Sequence, residues 1–169
     1  IFGSENISTY TKTNMAIWMV LAFQAGLFNV GGLMACHSFV SHVTGFATLF
    51  SIEYESGHYP QAIGLLTIPA TFLLGSMVSG ILVDLRMKLY KKPKYYSVFG
   101  FLLLLTLAIA VGGFSNAFGE FGLPLSSLRG YFFVGLLCFT CGVQNGTITL
   151  VSKSAVRTTH LTGITTDLG

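Results

Sequence analysis

A chain of 169 residues in which 52% are apolar and only 9% are charged lacks the water-facing charge of a soluble domain, where about a quarter of residues are charged. Nine Lys and Arg against six Asp and Glu give a net charge of +3, and the mean hydropathy is +0.71. That balance excludes a soluble globular protein. It also excludes a nucleic-acid surface, because Arg86, Lys88, Lys91, Lys92 and Lys94 crowd into nine residues instead of covering a folded face.

The opening IFGSENISTY is polar and has neither a basic n-region nor an apolar h-region, so it is not a secretory signal. Residues 1–13 read as a cytoplasmic N-terminal segment, and a chain starting at Ile1 is expected to lack its true first residues. Beyond it, charges mark out windows long enough for helices that cross a bilayer, which takes about 20 apolar residues each. No charge falls between Lys12 and Glu53, Glu55 and Asp84, Lys94 and Glu120, or Arg129 and Lys153. The most apolar stretches inside those windows are about 14–36, 62–83, 96–114 and 130–151. Buried in lipid, each must satisfy its own backbone, so each is read as a helix. The class is an all-α integral membrane protein with four transmembrane helices.

Direction follows from the basic loop at 84–94, which the positive-inside rule places in the cytoplasm. The first and third helices then run outward, and the second and fourth run inward. Glu53, Glu55 and Glu120 fall outside, while Lys153 and Arg157 fall inside. Segment 115–129, with Gly119, Gly122 and Pro124, reads as an external loop carrying a short surface helix. Small residues at Gly75, Ser76, Ser79 and Gly80, and the GxxxG at Gly142–Gly146, are expected to bring helices into close contact.

A partial internal repeat is the most informative feature. Ser41-His42-Val43-Thr44-Gly45 and Thr159-His160-Leu161-Thr162-Gly163 share the pattern [ST]-H-x-T-G. Each follows a helix carrying G-x-x-N, at Gly26–Asn29 and Gly142–Asn145, with Asn and His 13 and 15 residues apart. The two copies follow helices of opposite direction, the layout of an inverted-topology repeat in many transporters. On this reading 14–114 is a first three-helix repeat and 130–169 begins a second.

The segments FQAGLFNVGGLMACHSFVSHVTGFATL and GVQNGTITLVSKSAVRTTHLTGITTDLG resemble the two signature regions of the YoaK-like bacterial inner-membrane proteins, a family of unknown function. The second, from Arg157 to Asp167, is the more specific. The first departs from the family pattern, which often has an acidic residue near Asn29 and an Asn where this chain carries Phe46. The resemblance implies six helices in two inverted units, two of them beyond Gly169, and a permease-like architecture without an established activity. It also implies the bacterial inner membrane.

Candidate site residues come from the repeat. Asn29 and Asn145 sit beside glycines, where a locally opened helix would bind a solute or cation; the competing reading is polar glue between helices. Thr44 and Thr162 are expected to cap following helices and to line the same path. His42 and His160 are candidates for gating or proton relay, or for simple turn histidines bonded to carbonyls. Arg157 and Asp167 flank the second motif as a buried pair or as two interfacial charges. Cys138-Phe-Thr-Cys141 lies mid-span, where thiolate is disfavoured, and reads as packing.

No Ser-His-Asp set, phosphate loop, paired carboxylate or metal pattern is present, so neither an enzyme nor a cofactor protein is expected. Two functions remain. One is a small-solute or ion permease working between inverted repeats. The other is a scaffold or accessory subunit of a larger membrane complex, favoured by the lack of an acid within the spans. The expected partners are the lipid bilayer, an unknown solute or ion, and a second copy or larger complex; nucleic acid is not expected.

Overall fold

The computed structural model describes residues 11–89 and 95–151. Among the described residues all regular structure is helical, and four helices are long and apolar enough to cross a membrane. The first, α1 (Lys12–Cys36), starts at Thr11, whose hydroxyl accepts the N–H of Asn14 at 3.2 Å. It stops because His37 takes a left-handed conformation (φ 53°), and the N–H groups of His37 and Ser38 turn back to Leu33 and Gly32. This is a helix end with two returning bonds that occupy otherwise orphaned carbonyls.

A second helix, α2 (Val43–Glu55), turns through Gly57 (φ 79°) into α3 (Tyr59–Ser79). The α3 rod continues through five π-helical residues, Gly80–Asp84, and a last turn, α4 (Leu85–Lys88). There Lys88 pairs with Asp84 at 2.7 Å. Then come α5 (Tyr95–Phe114) and α6 (Leu128–Val151). The four expected spans are present, each lengthened at an end by two or three residues at most, apart from the turns that carry α3 to Lys88.

Contacts fix the directions. Tyr131 lies against Gly64, Gly135 against Thr71, and Thr147 against Ser79, so α3 and α6 run the same way. Leu21 meets Gln144 while Gly32 meets Leu137, so α1 opposes α6. Gln24 donates to the Thr106 hydroxyl at 3.0 Å, with Leu21 beside Phe99 below and Gly31 beside Ile109 above; α1 and α5 are parallel. The alternation read from charge holds as a relative order.

At the centre is α6: 67% of its apolar window is buried, against 17% for α5. Its closest neighbour is α3, and glycine makes this possible. A Cβ on Gly75 would collide with the carbonyl of Phe139, and one on Gly142 with the carbonyl of Phe72. Ser76 donates its hydroxyl to the Gly142 carbonyl at 3.2 Å, and the Ser79 and Thr147 hydroxyls are 2.9 Å apart. The expected small-residue contact is therefore real, except at Gly80, whose missing Cβ faces open space.

Two expectations need correction. Residues 115–127 form turns without the anticipated surface helix, and they are tucked against the bundle. Gly122 donates its N–H to the Ala35 carbonyl at 2.8 Å and approaches the His37 ring at 3.1 Å, while Phe118 and Phe121 pack on Phe133. The α1 terminus supplies the acceptor and the loop follows it. The second concerns the helix expected to follow Thr44: it is present as α2, but it begins at Val43, so Thr44 lies within its first turn and does not cap it.

Candidate functional site

The chain leaves α1 at Cys36 and comes straight back. Asn29 lies seven residues before Cys36, about 10 Å down the helix axis. Yet its side-chain oxygen accepts the main-chain N–H groups of Val40 at 3.0 Å and Ser41 at 2.9 Å, and its amide donates to the Ser41 hydroxyl at 2.6 Å. Residues 37–42 therefore re-enter the bundle beside α1, and α2 climbs out again toward the end where α3 begins. This is a re-entrant half-helix.

Non-helical backbone at membrane depth persists only where protein or water serves its polar groups. Here protein does so from both sides. Asn29 takes two N–H groups, and the Cys138 thiol donates to the Val40 carbonyl at 3.0 Å. Gly32 leaves the room: a Cβ there would stand 2.7 Å from the Val40 side chain and 2.9 Å from the Ser38 carbonyl. Val40 and Phe46 are buried among Leu65, Ile68, Val134 and Cys138. One polar residue and one missing methyl group thus hold a strand against the core.

The half-helix starts beside the segment that Asn29 holds, with His42 and Gly45 exposed and Phe46 buried. No acidic residue in its first turn offsets the partial positive charge of its leading N–H groups. Its cap position falls on His42 and not on Thr44, which lies in the first turn, and no side chain caps it. His42 is exposed and stacks on Phe39, ring centroids 5.0 Å apart. Such an end suits the negative pole of a solute, as at broken helices in carriers. Above the strand a cleft of about 150 Å³ opens between Ser38, Glu53, Gln61 and Tyr131, with Glu53 also bonded to His58 at 2.9 Å.

The remaining predicted residues divide clearly. Asn29 and His42 come together at the re-entrant strand, and Asn29 is committed to the chain itself. On α6, Asn145 makes no bond to either, and its side-chain oxygen is buried with no partner among the described residues. Thr162, His160, Arg157 and Asp167 lie outside the described residues. Cys138 and Cys141 are free and buried, as packing requires. Sequence reading named Ser41 within the motif and glycines beside Asn29, but missed the bonds from Asn29 to Ser41, the close approach at Gly32 and the bond from Cys138 to Val40. One signal was available: the charge-free stretch from Lys12 to Glu53 is nearly twice the length of a single span.

The fold and this strand define a polytopic α-helical membrane protein with a re-entrant half-helix. A family model described as "Protein of unknown function (DUF1275)" matches residues 17–169, and the chain belongs to that family. The YoaK-like resemblance is consistent with it. No curated protein and no solved structure matches the chain.

Proposed function

We propose that the protein is a small-solute or ion permease of the bacterial inner membrane, N-terminus in the cytoplasm, without enzymatic activity. The observation that carries this reading is the half-helix α2, which follows a segment turned back to Asn29 of α1 and starts at the exposed His42. A protein needing only a membrane anchor has no use for interrupted backbone at that depth. Transporters place solute sites at such interruptions.

Two inverted three-helix units complete the proposal. Its support is the matching G-x-x-N and [ST]-H-x-T-G segments, together with the opposed directions of α1 and α6. Asn29 and Thr44 belong to one gate; Asn145, Thr162, His160, Arg157 and Asp167 belong to the other. Because Asn29 is occupied by the chain, its role is to position the half-helix, and the solute contact falls to His42 and the leading N–H groups of α2.

The test is a thermal-shift screen of the purified full-length protein against ions, amino acids, nucleobases and organic acids, followed by flux in liposomes. A ligand at a hundred times its dissociation constant adds about 2.7 kcal/mol of stability. His42→Ala is expected to leave the fold intact and to lower flux at least tenfold. Unchanged flux in that variant would remove α2 from the path.

The scaffold reading also has an observation in its favour. Large apolar side chains such as Leu103, Leu104, Val111 and Phe114 stand exposed along α5, open to lipid or to further helices. Recovery of a fixed partner at constant stoichiometry from native membranes would favour it, and a lone or homodimeric particle would count against it.

A further inference from the structure

Ser38, the start of the re-entrant strand, lines the cleft shared by α2, α3 and α6. It is only 6% exposed, yet its hydroxyl makes no hydrogen bond among the described residues. A buried hydroxyl left without a partner is costly, and a ligand in the cleft would relieve that cost. Glu53 lines the same space. Its Oε2 bonds to His58 Nδ1 at 2.9 Å, while its Oε1 has no partner among the described residues. The Gln61 side-chain amide is equally uncommitted. Tyr131 adds an aromatic wall that is held in place: its hydroxyl donates to the Gln61 main-chain carbonyl at 3.4 Å. Its ring rests on Gly64, where a Cβ would stand 2.8 Å from Cζ.

We infer that this cleft is a binding site for a small organic monocation, an ammonium head on a short alkyl chain. Charge sets the sign. Glu53 is the one carboxylate in the lining, and the His37 ring beside it is engaged with the Gly122 carbonyl at 3.1 Å. The surrounding end of the bundle carries Glu53, Glu55 and Glu120 against Arg129, a field that draws cations. One carboxylate balances one positive charge, whereas a hard divalent cation takes six or so oxygen ligands, commonly with several carboxylates. Carbon sets the class: Leu49, Leu65 and Leu125 line the cleft beside the Tyr131 ring, which suits an alkyl body and a cation over an aromatic face. A volume of about 150 Å³ equals roughly five water molecules in the liquid, enough for two or three carbons. The first turn of α2 lies about 15 Å away along the helix, so a ligand this small reaches one end of α2 and not both. The site therefore stands apart from the solute contact at His42, and its test does not involve transport.

Calorimetric titration of the full-length protein at fixed ionic strength uses ethylammonium as the probe, with sodium and propionate as controls. Saturable binding of ethylammonium is expected, at least tenfold weaker in Glu53→Gln and several-fold weaker in Ser38→Ala, with Glu55→Gln unchanged. Equal binding of sodium, or equal loss in Glu53→Gln and Glu55→Gln, would mean a general surface charge and would overturn the inference. Labelling gives a second readout that is independent of affinity. With Cys36, Cys138 and Cys141 replaced, Ser38→Cys is expected to react at least tenfold faster with aminoethyl methanethiosulfonate than with its sulfonatoethyl counterpart, each rate taken relative to a free thiol. Glu53→Gln should erase that preference, and ethylammonium should slow the reaction where sodium does not. Matched rates for the two reagents would also overturn the inference. Binding with no flux would sink the permease reading alone, and flux with no binding would sink this site alone.

Discussion

The α3–α6 crossing and the re-entrant strand are both close approaches of backbone to backbone, yet they are held by opposite means. At the crossing, glycines on each helix remove side chains, and main chain packs on main chain along several turns. At the strand, one asparagine supplies the hydrogen bonds that a regular helix would have made for itself. The first arrangement has no intermediate state, because packed backbones are either in register or apart. The second is held by bonds each worth about 0.6 kcal/mol on average in membrane proteins, rarely above about 1.7, a scale that a bound solute can match. The contrast separates a spine closed by packed backbone from a segment held by a few hydrogen bonds.

The largest effect should come from the spine. Gly142→Val puts a Cβ into the Phe72 carbonyl, a main-chain atom that cannot rotate away. Overpacking of that kind is expected to cost about 3 kcal/mol or more, seen as loss of a monodisperse particle and a large fall in melting temperature. A variant that melted like wild type would mean that α3 and α6 slide freely, and the division into packed spine and hydrogen-bonded segment would fail.

Next comes Asn29→Leu, which bares two N–H groups and the Ser41 hydroxyl at once. About 2 kcal/mol of destabilisation is expected, with exchange quickened at 38–42 and protection retained along α3 and α6. Uniform loosening of the whole bundle would show instead that the strand is part of the spine. Gly32→Ala tests the same strand from the other side. Its Cβ would press on the Ser38 carbonyl and displace residues 38–40 at a cost of about 1–2 kcal/mol, measured by the same exchange pattern.

This difference also explains what the sequence could and could not disclose. The spine was legible because its cause is compositional: Gly75 with Ser79, and Gly142 with Gly146, sit at four-residue spacing inside apolar runs, and small residues at that spacing mean contact. Span number and alternation were legible because lipid excludes charge, and Lys88 to Lys94 had to lie at one end. The re-entrant strand was hidden because its cause is one long-range set of bonds. Nothing local in Ser38–Ser41 distinguishes a strand beside α1 from an exterior turn, and Asn29 reads equally as glue or as ligand. The tucked loop at 115–127 was hidden for the same reason, since the Ala35 carbonyl that receives Gly122 is invisible in the loop's own residues. What is local was readable; what is a bond between distant residues was not.

The smallest prediction separates the two ways a side chain can support the strand. The Cys138 thiol both fills space beside Val134 and Leu137 and donates to the Val40 carbonyl. Cys138→Ala removes volume and donor together, and about 1 kcal/mol of loss is expected from a small cavity and a weak bond. Cys138→Ser keeps a donor of shorter reach while surrendering some packing. If the hydrogen bond matters, the serine variant melts closer to wild type than the alanine variant, and exchange at 38–42 stays slow in serine alone. If the thiol is only filler, the two variants melt alike, and support of the re-entrant strand falls to Asn29 and the room left by Gly32. A thiol that donates also predicts selective chemistry: alkylation should be far slower at Cys138 than at an exposed cysteine and should speed up in Asn29→Leu, where the strand covering it is released.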